Sequence, residues 1–257
     1  MKRETQNILL ILLGGALVKI AVNGDYLRYV KPAQQPWVIA GGAVMVLLGA
    51  VAIVRDLLAA RAKVAAGAEP GTAPDLPEAA GHGAADHGHA HSTRPAWLLL
   101  VPVLAVFLVA PPALGSDSVI RTESRAPSSA AAANAAAFPP LPAGDVVPLA
   151  VNEFVSRAGW DKAGTLDDRT VALTGFVVHT EGNTLLARLV ISCCAADAFP
   201  VTVRLRGGEA DHLASDTWIK VTGRVVPGTA TKENSYTPDF TPASVTTVPT
   251  PKDPYEY

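Results

Sequence analysis

The chain contains two cysteines, and they are adjacent: Cys193 and Cys194, in the stretch RLVISCCAADAFP at Arg188–Pro200. Thiolates bind soft or borderline ions such as zinc and copper, and Asp197 adds an oxygen donor close by. Neighbouring strand residues point to opposite faces, so the two sulfurs converge on one ion only at a bend. The following Ala-Ala-Asp-Ala-Phe-Pro is compatible with one. His179 and His212 are further nitrogen donors if the fold brings them near. A disulfide between neighbours closes a very small ring through a distorted peptide, and is strained and redox-labile. The competing reading is packing, because cysteine behaves as a small hydrophobe and is often buried.

A second group of donors lies upstream. His82, His87, His89 and His91 fall within GHGAADHGHAH. Histidine-rich tracts bind zinc or another divalent ion loosely, and no cysteine accompanies them to close a structural site. The alternative is a solvated low-complexity linker. The sequence has no phosphate loop, dinucleotide fingerprint, nucleophile elbow or HExxH. No catalytic residue is therefore assigned, and a non-enzymatic function is expected. Arg188 and Arg204 read as a solvated strand face, with an anion-binding patch as the alternative.

The elements that carry these residues follow from composition. The 257 residues are 49% hydrophobic and 17% charged, against about 25% charged in soluble domains. That balance leans toward a membrane protein with the lipid bilayer as partner. A net charge of −2 without a basic stripe argues against nucleic acid as a partner. The expected fold is α+β: three N-terminal transmembrane helices and a small all-β, OB-like barrel at the C-terminus.

A spanning helix needs about 20 apolar residues. The first apolar run is expected to span residues 8–30 and the second 37–58, together forming a transmembrane pair over residues 1–58. A cleaved signal peptide is the alternative for the first run. GGALV at Gly14–Val18 and GGAVM at Gly41–Met45 allow close antiparallel packing. Residues 59–95 form the histidine-bearing linker, 96–115 a third span, and 116–148 an Ala/Pro/Ser-rich stalk with too few large apolar residues for a core.

Residues 149–257 read as the β domain. They open on an amphipathic helix with Val151, Phe154 and Val155 on one side. Strands follow at Thr170–Thr180, Thr184–Ser192, Pro200–Leu205, Thr217–Val226 and Ala243–Val248. Gly175 and Gly223 fall at positions where small barrels bend; a small β-sandwich is the rival. Lys2, Arg3, Arg55, Arg61, Lys63 and Arg94 on one side, against Arg28, Lys31, Arg121 and Arg125 on the other, orient the N-terminus and histidine linker to the cytoplasm. The β domain is then extracytoplasmic.

Several stretches carry a family likeness: GDYLRYVKP at Gly24–Pro32, PPALGS at Pro111–Ser116, TGFV at Thr174–Val177, RLVISCCAADAFPV, and DTWIKVTGRV at Asp216–Val225. With these the chain resembles the bacterial YcgQ-type family, membrane proteins described as two-component permease subunits with a C-terminal domain of unknown function. The resemblance rests on Arg188, Cys193, Cys194, Ala195, Asp197, Pro200, Trp218 and Gly223. It implies an accessory role beside a multi-spanning permease, and an association with zinc-responsive regulation.

Overall fold

The computed structural model describes residues 3–66, 101, 104–105, 108–109, 112–122 and 138–257. The histidine cluster His82–His91 and most of the third apolar run lie outside the described residues. Two compact units are present. One holds the N-terminal helices. The other holds residues 112–257 together with the interhelical segment Gly24–Gln35.

Helix α1 spans Arg3–Asn23 and α2 spans Gln35–Ala66. Both are long and apolar enough to cross a membrane. They contact antiparallel, Gly14 against Gly42, Ile11 against Gly49, and Asn7 hydrogen-bonded to Asp56 at 3.3 Å. A Cβ on Gly14 would lie 2.6 Å from the Gly42 carbonyl oxygen, so these glycines set the approach of the backbones. Val44, Leu47, Leu48, Val51 and Val54 of α2 are exposed. Such an apolar surface needs lipid or a partner to cover it.

Helix α1 stops at Asn23 instead of running on to residue 30. Gly24 takes φ +86°, a left-handed conformation that glycine adopts without steric cost, and a 3₁₀ turn follows at Asp25–Arg28. A second turn, Pro32–Gln34, leads into α2.

In the second unit, helix α3 (Ser116–Arg121) precedes the two-residue strand β1 (Val147–Pro148) and helix α4 (Val151–Trp160). Strands β2 (Val171–Thr180), β3 (Asn183–Val190), β4 (Phe199–Leu205), β5 (Trp218–Val226), β6 (Asp239–Thr247) and β7 (Tyr255–Glu256) complete it. Strand β2 pairs antiparallel with both β3 and β5; β3 continues to β4, β4 meets β6 in parallel, and β6 returns to β5. The five pairings form a cycle. Strands β1 and β7 add parallel pairs to β2 and β3.

Alternation along the strands makes two apolar clusters. Leu173, Val177, Leu186, Val203, Ile219, Val221 and Phe240 face one core. Helix α4 covers it with Val151, Phe154 and Val155, and the Phe154 ring meets Phe240 edge-on at 5.6 Å. Burying each such side chain contributes about 1.5–3 kcal/mol. Phe176, Val178, Leu189, Ile191, Trp218 and Tyr255 form the second cluster, which α3 covers with Val119.

The stretch expected to be a stalk therefore contributes packed elements at both ends. Ser116 donates from its backbone N–H and its hydroxyl to Asp216, at 2.6 and 2.7 Å, and Leu141 and Val147 are buried. Residues 123–137 lie outside the described residues.

Candidate functional site

Strand β3 ends at Val190, and the chain turns before β4 starts at Phe199. The turn is held from within by Asp197, which ends a short 3₁₀ segment, Ala195–Asp197. One carboxylate oxygen accepts the Ser192 N–H at 2.8 Å. The other accepts the N–H of Cys193 at 2.8 Å and of Cys194 at 3.5 Å. This answers the geometric objection to adjacent ligands: on this bend the two sulfurs lie 3.7 Å apart. The ligand atoms of Cys193, Cys194 and Asp197 all fall within 4.8 Å of one another. Cys193 is exposed and Cys194 half-buried, and neither is in a disulfide. Plain core packing therefore does not describe this pair.

The electrostatics fit three acidic groups sharing one spot. Hydrogen bonding to Asp197, then to Cys194, pushes the Cys193 thiol up to about 11. The Cys193 thiol, followed by the three backbone N–H groups, holds the Asp197 carboxyl below its usual range. Thiolate is the reactive form. In metal-free protein, alkylation of Cys193 at pH 8 should therefore be slow and rise toward pH 11. Asp197→Asn should speed it roughly tenfold or more at pH 8. Mass-spectrometric labelling rates check this, and equal rates in both proteins would refute the carboxylate's part.

Two chemistries are open to the pair, a shared cation and a disulfide. Thiolates about 2.3 Å from a tetrahedral ion lie about 3.8 Å from each other, which the sulfurs already match. A disulfide, at about 2.05 Å, is the oxidised alternative of the same pair. A carboxylate oxygen on the same ion would sit about 3.6 Å from each sulfur, and the Asp197 oxygen and both sulfurs lie within 4.8 Å of one another. The turn thus offers two thiols and one carboxylate that a thiophilic cation could share.

The other sequence-derived residues divide. His179 is taken up structurally: its Nε2 bonds the Leu213 carbonyl at 2.7 Å and its Nδ1 meets the Thr184 hydroxyl at 3.2 Å. His212 is exposed, and neither histidine joins the thiol–carboxylate group. Arg188 is not on a solvated face. It is buried, donates to the Tyr255 carbonyl at 3.0 Å, pairs with Glu256 at 3.4 Å, and lies over the Trp218 ring at 4.9 Å. Burial lowers its pKa, and Glu256 opposes that shift. Arg204 instead pairs with Asp239 at 3.6 Å, so the two arginines do not make one anion patch. Pro200 pairs with Leu189 in the ladder. Gly223 sits at a bulge, where a Cβ would strike the Thr241 carbonyl.

What sequence reasoning missed is the partner of the turn. The interhelical segment docks on it: Ala195 N–H donates to the Tyr29 carbonyl at 2.7 Å, Lys31 N–H donates to the Cys193 carbonyl at 3.4 Å, and Val30 bridges Cys194. Tyr255 adds a hub. Its hydroxyl donates to the Arg28 carbonyl at 3.0 Å and accepts the Leu114 N–H at 3.2 Å. Lys31 reaches over the Tyr257 ring at 5.3 Å. The stretches that carry the family likeness thus meet in pairs, GDYLRYVKP on RLVISCCAADAFP and PPALGS on DTWIKVTGRV. The composition of Gly24–Pro32 gave no sign of this.

The molecule is thus an α+β chain with an apolar helix pair and a C-terminal β domain that bears an exposed thiol–carboxylate turn. Residues 161–257 match the family model of the DUF1980 C-terminal domain, so that uncharacterised domain is found here. It takes in β2 through β7 and the cysteine turn. No curated protein and no solved structure matches the chain.

Proposed function

We propose that the chain is a membrane-anchored, non-catalytic accessory subunit of a transport complex, and that its β domain presents a zinc-class cation site at Cys193, Cys194 and Asp197. The observation that carries this is the docking of the interhelical segment on the cysteine turn. It joins the ligand-bearing turn to the segment that leads into both apolar helices.

The docking also supports a topology. If α1 and α2 both cross the bilayer, the segment joining them and the β domain it packs into share one side. Residue 66 then lies on the other side. The chain has to return before Pro112, which requires an odd number of crossings, and the apolar run 96–115 supplies one. Three spans follow, with the β domain extracytoplasmic under the Lys/Arg bias. The histidine linker falls on the cytoplasmic side, so its histidines and the cysteine turn serve separate ions. The cycle of strand pairings, with β4 and β6 parallel, supports reading the β domain as an OB-like barrel.

The partner expected for the helices is a multi-spanning permease, and the exposed apolar face of α2 is the surface offered to it. Purification of the full chain from its native membrane in mild detergent tests this. A multi-spanning protein should co-purify in fixed ratio with zinc. The chain isolated alone, still binding stoichiometric zinc that Cys193→Ser removes, would replace this reading with that of an anchored metal-binding module without a transport role.

A further inference from the structure

The backbone of residues 193–195 is held from two directions. Asp197 takes the N–H groups of Ser192, Cys193 and Cys194 on the inside of the turn. On the outside, the Cys193 carbonyl and Ala195 N–H bond to Lys31 and Tyr29. The sulfurs converge only because the turn is bent; an extended 193–194 pair would send them apart. The docked segment is therefore part of what preorganises the ligands.

From this we infer that cation binding at Cys193, Cys194 and Asp197 is thermodynamically linked to docking of Tyr29–Lys31, so that the interhelical segment reads out site occupancy. The inference rests on the zinc-class site proposed above. Whenever the segment is undocked, the turn is free to relax and affinity falls by the fraction of competent turns. By reciprocity, a bound cation tightens the docking by the same factor. The segment runs directly into α1 and α2, so the linkage gives the helices a signal that the outer site is filled. Three protein ligands leave the fourth tetrahedral position open, which makes the occupancy exchangeable rather than structural.

Lys31→Pro isolates the coupling. Lys31 already has φ −57°, close to the proline value of about −65°, so the substitution deletes its N–H with little backbone strain. Lys31→Ala keeps the N–H and controls for the lost side chain. Tyr255→Phe removes the hydroxyl that bonds the Arg28 carbonyl and is the second variant should Lys31→Pro not fold. All are made in the full chain with His82, His87, His89 and His91 changed to asparagine, so that only the outer site is read.

Zinc affinity is measured by competition with a chromophoric chelator, and amide exchange at Tyr29–Lys31 and Ala195 is followed with and without zinc. The expected result is a loss of affinity of about fivefold or more in Lys31→Pro or Tyr255→Phe, little change in Lys31→Ala, and slower exchange at Lys31 and Ala195 when zinc is present. Zinc bound with unchanged affinity in the variants and unchanged exchange overturns the linkage and leaves the site standing. No zinc bound by the parent overturns the site and the linkage together.

Discussion

Glu256→Ala is expected to destabilise the β domain by about 3–5 kcal/mol, the range for removing one partner of a buried ion pair. Glu256 and Arg188 are each 10% exposed in their side chains. The Glu256 carboxylate does three jobs. It accepts the N–H of Val151 at 2.9 Å and of Asn152 at 2.7 Å, capping the first turn of α4, and it offsets the Arg188 charge. Without it, two helix-terminal donors lose their acceptor and a buried guanidinium loses its paired carboxylate, keeping the Tyr255 carbonyl, the Trp218 face and the field of Asp253. Glu256→Gln retains an acceptor and should cost less. Urea unfolding of the full chain in detergent, read by pulse proteolysis of the β domain, measures both. A loss below about 1 kcal/mol for Glu256→Ala would mean that the pair behaves as a solvated surface bridge.

Cys193→Ser and Cys194→Ser are each expected to weaken zinc binding roughly 100-fold or more, because a hydroxyl replaces one of two thiolates in a three-ligand site. Asp197→Ala should act twice. It deletes the oxygen ligand and releases the Ser192, Cys193 and Cys194 N–H groups that shape the bend, so its effect should match or exceed that of either serine. The chelator competition described above reads this in the histidine-free background, since four histidines elsewhere would hide the loss. Equal affinity in wild type and Cys193→Ser would remove the sulfur pair from the metal's coordination.

Much of the β domain was legible because its local patterns agree with its tertiary needs. Thr217–Val226 read as a strand, and within it Ile219 and Val221, two apart on one face, are both fully buried. Val151, Phe154 and Val155 read as one face of a helix, and they close the core. Gly175 read as a bend position, and what requires glycine there is a close approach: a Cβ would lie 2.5 Å from the Ala187 carbonyl oxygen. The end of α1 was harder. Asp25–Val30 is apolar enough to extend a helix, and only the left-handed Gly24 stops it.

At the site, the residue types and the need for a bend were readable, but what holds the bend was not. Its outer support comes from Tyr29 and Lys31, more than 160 positions earlier in the chain, acting through backbone groups that every residue possesses. Arg188 misled for a related reason. A strand arginine reads as solvated, and only the pairing of β7 beside β3 brings Glu256 to it. The two described ends of the stretch read as a stalk carry anchors that its composition does not signal, Ser116 on Asp216 and the buried Leu141 and Val147.

In the proposed topology the interhelical segment and the β domain share one side of the membrane, with the end of α2 on the other. Single cysteines placed in a chain lacking Cys193 and Cys194 test it directly. Ala33→Cys lies in the interhelical segment and Lys252→Cys in the β domain, both at exposed positions; Ala65→Cys lies near the end of α2. With a membrane-impermeant thiol reagent on intact cells, residues 33 and 252 should be labelled together, and residue 65 only after permeabilisation. Labelling of 33 and 252 from opposite sides, or of 65 together with 252, would overturn this topology.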